Sequence, residues 1–320
     1  MNRTLVLLIS LVSIGLLAGF PAIQGAETKA VPVDISILPG SSKFDFIAYG
    51  DIRFTDPSNT RVSNSEVRRA LVGRIADIKP PFLILTGDLV YRGSDSRDWQ
   101  AWESETTAWR VAGIKVFPVP GNHELYEDPK AVHYFAHFPE LKQRRWYTIR
   151  AGNTLFFMMD SDSDAVGGEE WNWLEQQLLH VPEDVDFLFF TFHHPPYTRS
   201  SDHLFGGGHA ARSAEEKLAA MLERRQASMR PRMIVISGHV HNYERYEHGG
   251  VTYIVSGGGG ATPYLIPRSP QDDYKEPGPT YHFVHFFVDG HQLRAEMVKE
   301  EILNGKTNWT VKDTFQMEAR

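Results

Sequence analysis

The chain has 320 residues, of which 42% are hydrophobic and 23% charged, and its formal charge is −7. That balance describes a globular protein rather than a disordered one, and a net negative charge lacks the positive footprint through which nonspecific nucleic-acid binders release counterions. Cysteine is absent, which excludes thiol catalysis, thiolate zinc sites and iron–sulfur clusters and leaves only oxygen and imidazole ligands for any metal.

The first segment reads as an export signal. Arg3 supplies a positive n-region, residues 5–17 are apolar apart from Ser and Gly, and the small residues Gly25 and Ala26 follow. The apolar run is short for a membrane span. The competing reading is an uncleaved N-terminal anchor. The expectation is a signal peptide over residues 1–25, a mature chain of residues 26–320, and a periplasmic or secreted location. Nothing downstream is long and apolar enough to span a bilayer.

Apolar runs then recur, most of them ending in polar residues. Residues 44–49 are strand-like and end at Gly50-Asp51. Residues 64–78 place Val67, Leu71, Ile75 and Ile78 at helical spacing, and Pro80-Pro81 stops the run. A second strand over 82–86 ends at Gly87-Asp88, and residues 98–111 read as helical. A third strand over 115–119 turns out at Pro120-Gly121-Asn122-His123. Residues 146–150 and 154–159 read as a strand pair around Gly152-Asn153, and residues 169–179 as an amphipathic helix. The apolar strand 187–192 ends at His193-His194-Pro195-Pro196. A helix over 213–229 and a strand over 233–237 lead to Gly238-His239-Val240-His241. The tail is β-rich, with strands over 251–256, 282–288 and 293–298, and the Pro-rich stretch 263–279 reads as a surface loop. Strands alternating with helices early and hairpins late suggest layered α/β with two packed sheets.

Five strand-like runs thus end in potential metal ligands: Asp51, Asp88, Asn122, His193 and the pair His239/His241. A lone Asp or His after a strand is ordinarily a cap or turn residue. Five such ends in one chain, each beside Gly or Pro, are much harder to assign to turn chemistry. Strand ends converge on one edge of a sheet, where α/β proteins place their sites. On an extended segment His239 and His241 point to the same side.

In this order the motifs Gly50-Asp51, Gly87-Asp88, Gly121-Asn122-His123-Glu124, His193-His194-Pro195-Pro196 and Gly238-His239-Val240-His241 resemble those of the calcineurin-like metallophosphoesterase superfamily. The resemblance covers residues 44–260. Tyr91, the run Gly238 to Arg245 and the Gly-rich turn 256–260 resemble the purple acid phosphatase branch. The resemblance implies a four-layer αββα sandwich of two mixed β-sheets flanked by helices, the catalytic domain filling residues 26–320. It implies hydrolysis of small-molecule phosphomonoesters at a dinuclear metal centre with a shared hydroxide. A phosphodiesterase or nucleotidase on the same metal core and a non-catalytic phosphate-binding member are the alternatives.

By that resemblance Asp88 bridges two ions, Asp51, Tyr91 and His241 complete the first site, and Asn122, His193 and His239 the second. This donor mixture suits iron, zinc or manganese, and a phenolate favours ferric iron. His123 stabilises charge at the phosphoryl group and helps protonate the leaving oxygen. Its bland role is a hydrogen bond behind the ligands. His203 matches a substrate-contacting histidine of the branch, with His209 a competitor for the same task. Where the superfamily usually carries a metal-binding His, and the branch Gly, this chain has Arg53. A guanidinium cannot ligate a metal, so Arg53 either grips the substrate phosphate or forms a salt bridge at the strand end. Asp160 either orients a histidine or caps the turn after its strand. The tryptophans at 99, 102, 109, 171 and 173 read as packing residues.

Overall fold

The computed structural model describes residues 33–163, 167–201, 209–303 and 306–320. The expected signal segment and His203 lie outside the described residues. The chain begins with β1 (Ile35–Ile37), β2 (Lys43–Tyr49), α1 (Ser65–Ile78), β3 (Phe82–Leu85), α2 (Ser96–Glu105), α3 (Thr107–Val111) and β4 (Lys115–Pro118). It continues through α4 (Asn122–Leu125), α5 (Val132–His137), β5 (Tyr147–Ala151), β6 (Thr154–Met158) and α6 (Glu169–Leu179). β7 (Phe187–Thr191), α7 (Ser213–Gln226), β8 (Arg232–Ser237), β9 (Tyr243–His248) and β10 (Val251–Ser256) follow. The tail is β11 (His282–Asp289), β12 (Gln292–Leu303) and β13 (Lys306–Glu318).

The strands form two mixed sheets. One is seven-stranded in the order β1-β5-β6-β7-β8-β10-β9, and the other six-stranded in the order β13-β12-β11-β2-β3-β4. Parallel pairing joins β2 to β3 to β4 in one sheet and β6 to β7 to β8 in the other. The strands that carry the expected ligands are therefore central and aligned.

Continuous apolar runs mark strands covered on both faces. Along β7, Phe187 and Phe189 join the core shared with the six-stranded sheet, while Leu188 and Phe190 join a second core under α6 and α7. Phe46 of β2 meets Phe156 and Phe189 edge-on at 5.1 and 5.2 Å, tying the sheets together with favourable ring geometry. On the other side Trp109 of α3 packs on Tyr49 and donates to the Val72 carbonyl of α1. The four layers expected from the sequence are present.

The differences are local. Residues 98–111 form two helices because Thr106 donates its hydroxyl back to the Trp102 carbonyl, and its backbone leaves helical geometry. Trp99, Trp102 and Trp109 are all buried. β9 and β13, not anticipated, are polar strands: β13 is largely exposed and pairs with β12 alone. Among the described residues no helix is long and apolar enough to cross a membrane.

Candidate metal centre

Asp51, Asp88 and Asn122 stand just beyond β2, β3 and β4 of one sheet. His193, His239 and His241 stand just beyond β7 and β8 of the other. The two sets meet. Asp88 Oδ1 is 3.2 Å from His193 Nε2. Asn122 Oδ1 is 3.1 Å from both His193 Nε2 and His239 Nδ1. Asp51 Oδ1 is 3.5 Å from His241 Nε2. All except half-buried Asn122 are buried.

The backbone is bent to achieve this. Asp51, Arg53, Asp88 and His239 all have positive φ, between 52° and 67°, a region that side chains other than glycine adopt at a cost. Two glycines make room. A Cβ on Gly121 would fall 2.4 Å from Asp88 Oδ1, and one on Gly87, itself at φ +94°, 2.7 Å from His193 Nδ1.

Hydrogen bonds set the ring orientations. His193 Nδ1 donates to the Thr86 carbonyl at 2.8 Å, and His241 Nδ1 to the Thr262 carbonyl at 2.7 Å. Their Nε2 lone pairs are therefore aimed at the carboxylates. Burial holds both imidazoles below the ordinary histidine range, Asp88 and Arg53 adding opposite contributions, which favours the neutral form that donates a lone pair to a cation. Burial, then the Asp88 charge, pushes Asp51 up. Burial also raises Asp88, but His193, His123 and Arg53 outweigh it and hold that carboxyl well below the usual range.

The donor set fits a cation. Asp51 Oδ1 and His241 Nε2 are buried with no hydrogen-bond partner and face each other, an arrangement of two lone pairs that is costly without a positive charge between them. Asp51, Asp88 and His193 form one group with ligand atoms within 4.8 Å of one another, and His193, His194 and His239 form another. The second includes His194, whose Nδ1 is tied to Ser161 Oγ at 2.8 Å.

The remaining expected residues divide. His123 sits beside the cluster: its N–H donates to Asp88 Oδ1 at 3.0 Å, its Nδ1 to the Tyr91 carbonyl at 2.5 Å, and its Nε2 lies 3.8 Å from Asp88 Oδ2. Burial lowers its pKa, against the pull of Asp88. Arg53 donates to Asp88 Oδ2 at 3.2 Å, while its buried Nε has no partner. Tyr91 is half-buried; its ring packs at 5.5 Å on His123 and lines the cavity next door. His209 stacks on His239 at 4.8 Å and shares a hydrogen bond with the Tyr264 hydroxyl. Asp160 caps its turn through the Asp162 N–H and pairs with Arg145; the contact to His194 comes from Ser161.

Two residues were missed. Tyr264 stacks on His241 at 4.3 Å. Glu124, fully buried, accepts from the backbone N–H groups of Asp88, Leu89, Val90 and Gly121 at 2.8–3.1 Å. It therefore clamps the Asp88 turn to the Asn122 turn. Its bond to the Gly121 N–H is that of a third-position Glu reaching back to the N-cap backbone, but with Gly at the N-cap no Ser/Thr-x-x-Glu pattern announces it in the sequence.

The fold and the strand-end cluster define a class that sequence comparison also identifies: residues 45–243 match the calcineurin-like phosphoesterase family, and the chain belongs to it. It is similar to purple acid phosphatase 21 of Arabidopsis thaliana, 26% identical over 219 residues, which are 60% of this chain and 48% of that one. The chain thus spans about half the length of the curated relative it matches. A purple acid phosphatase from yellow lupin (Lupinus luteus) seeds superposes with a TM-score of 0.65 at 18% identity, covering 88% of this chain and 55% of that one. A dimetal phosphatase from Danio rerio gives 0.57 at 13%, covering 88% and 100%. GAP50, the anchor in the inner membrane complex of Plasmodium, gives 0.62 at 16%, covering 88% and 90%.

Proposed function

We propose that the chain hydrolyses phosphate monoesters at a two-metal centre held by Asp51, Asp88, Asn122, His193, His239 and His241. The observation that carries the reading is the pair of unpartnered, buried donor atoms on Asp51 and His241, set against the Asp88–Asn122–His193–His239 group across the same seam. Iron, zinc or manganese would suit these donors. Such ions supply an activated nucleophile and neutralise charge on the phosphoryl oxygens.

The protein's own groups do the rest. Asp88 faces both ligand sets. His123, with Nδ1 donating to the Tyr91 carbonyl, has Nε2 left for the phosphoryl side; Nε2 gives a proton to the leaving oxygen from the imidazolium form, which the Asp88 charge favours against burial. Arg53 keeps N–H donors for a phosphate oxygen beyond its contact with Asp88. A monoester, with its extra negative charge, uses both of these donors. His203 remains a substrate-contacting candidate on sequence pattern alone, as do residues 1–25 as an export signal; N-terminal sequencing of the exported protein tests the latter.

Chelation followed by readdition of each metal tests the reading, with phenyl phosphate and bis(4-nitrophenyl) phosphate as substrates. Metal-restored turnover with the monoester preferred is expected; diester preference moves the reading to a phosphodiesterase. A phosphate-binding protein without turnover is favoured by one feature, the Arg53 contact on Asp88, and would show no metal-restored hydrolysis. If Tyr91 binds ferric iron, a visible charge-transfer band accompanies loading and Tyr91→Phe removes it.

A further inference from the structure

Beside the centre lies an open cavity of about 800 Å³, within the range that accommodates small organic ligands. The turns after β2 and β3 build it and run side by side, joined by a bridge between Phe54 and Val90. Each turn carries a site residue at its start and a cavity residue further on: Asp51 then Thr55 and Arg61, Asp88 then Tyr91 and Arg92. Tyr91 belongs to both regions, since its carbonyl holds His123 and its ring lines the cavity.

The wall is held from behind. Buried Arg68 donates to the carbonyls of Arg53 and Thr55 and to Ser63 Oγ, and pairs with Glu105. The turn after β2 that forms this wall is thus anchored to α1 and α2.

Its polar groups are unequal. The three carboxylates are already engaged: Asp56 by Ser58, Asp95 by Arg97, and Asp98 by Thr55 Oγ1 and the Arg92 N–H. Arg61 and Arg92 are exposed, and among the described residues their guanidinium groups form no hydrogen bond or ion pair; Arg92 lies 5.6 Å over the Tyr91 ring. The cavity therefore offers two forked donors without acceptors, while Asp56, Asp95 and Asp98 each already accept from a neighbouring group.

We propose that this cavity receives the leaving-group part of the substrate, and that Arg61 and Arg92 select esters whose alcohol bears a second anionic group. This rests on the phosphoesterase reading of the adjoining centre. Guanidinium forks match phosphate and carboxylate by paired hydrogen bonds, so both anions satisfy the same chemistry.

The test compares the metal-loaded full chain with Arg61→Ala/Arg92→Ala on matched pairs: phenyl phosphate against 4-carboxyphenyl phosphate, and fructose 6-phosphate against fructose 1,6-bisphosphate. The wild type should prefer the more anionic partner by roughly ten-fold in kcat/KM, mostly through KM, and the double variant should lose that preference while retaining phenyl phosphate turnover. Preference in only one pair identifies the anion. Arg61→Glu/Arg92→Glu should invert it. An unchanged preference in the double variant, or none in the wild type, overturns the proposal. Absence of phenyl phosphate hydrolysis by the wild type instead overturns the hydrolase reading. Calorimetric binding of fructose 1,6-bisphosphate to wild type and double variant then decides the cavity's role: equal affinity overturns it, weaker binding by the variant supports it.

Discussion

The two sheets contribute unlike halves to the candidate centre. The six-stranded sheet supplies oxygen donors, from Asp51, Asp88 and Asn122, and the seven-stranded sheet supplies nitrogen donors, from His193, His239 and His241. The oxygen half is held from within its own sheet, where Glu124 clamps the Asp88 turn to the Asn122 turn and both aspartates sit at positive φ. The nitrogen half is shaped by hydrogen bonds that reach across the seam: His193 donates to Thr86 after β3, and the His239 N–H to Asp51 Oδ2 at 2.8 Å. Neither sheet makes a site by itself. The difference teaches that the packing of the sheets, through rings such as Phe46 and Phe156, is also what assembles the chemistry.

The largest expected effect breaks the comparison at the residue that touches both halves. Asp88→Ala should lower kcat/KM at least about 10³-fold and leave the purified protein without bound metal by elemental analysis. Full turnover in this variant would end the two-metal reading. Single changes on either half should be less complete. His241→Ala is expected to lose the ion on the Asp51 side and Asn122→Ala the ion beside His193, each retaining about one equivalent. Loss of both ions in each case would show that the halves fill only together.

A smaller effect is expected from the clamp behind the oxygen half. Glu124 gives two carboxylate oxygens to four amide donors. Gln offers one oxygen and turns an NH₂ toward the others. Glu124→Gln should weaken metal affinity about 10–100-fold, as changes to groups that orient ligands commonly do, with the folded far-UV spectrum retained. Metal titration followed by calorimetry measures it; unchanged affinity would reduce Glu124 to a packing role.

The ligands of both halves were legible in the sequence. Asp51, Asp88, Asn122 and His239 each follow an apolar run and a Gly, so strand, turn and ligand are read together, whereas the Glu124 clamp behind the oxygen half was not. The histidines were legible as residues, but what orients them was not, because the acceptors are the main-chain carbonyls of Thr86 and Thr262, which any residue type supplies. Tyr264 escaped for a related reason: it lies in the Pro-rich stretch 263–279, read as surface loop, yet returns to stack on His241. β13 escaped because a strand with one sheet neighbour and a largely exposed surface needs no apolar periodicity.

The smallest effect tests whether the site depends on the whole oxygen sheet or only on its central strands. Glu300, on β12 away from the ligands, is mostly buried with Oε2 unpartnered, and burial raises its carboxyl from the ordinary 4.5 to about 7. A raised carboxyl favours the protonated folded form, so its stability contribution is intact below pH 4.5 and is lost as pH climbs to 7. Glu300→Gln mimics the protonated group. It should raise Tm by roughly 2–4 °C at pH 8 and by little at pH 4, with metal content and turnover unchanged. A matching change in metal affinity would show that the outer strands of this sheet are coupled to the ligands, and the centre could then no longer be ascribed to the central strand ends alone.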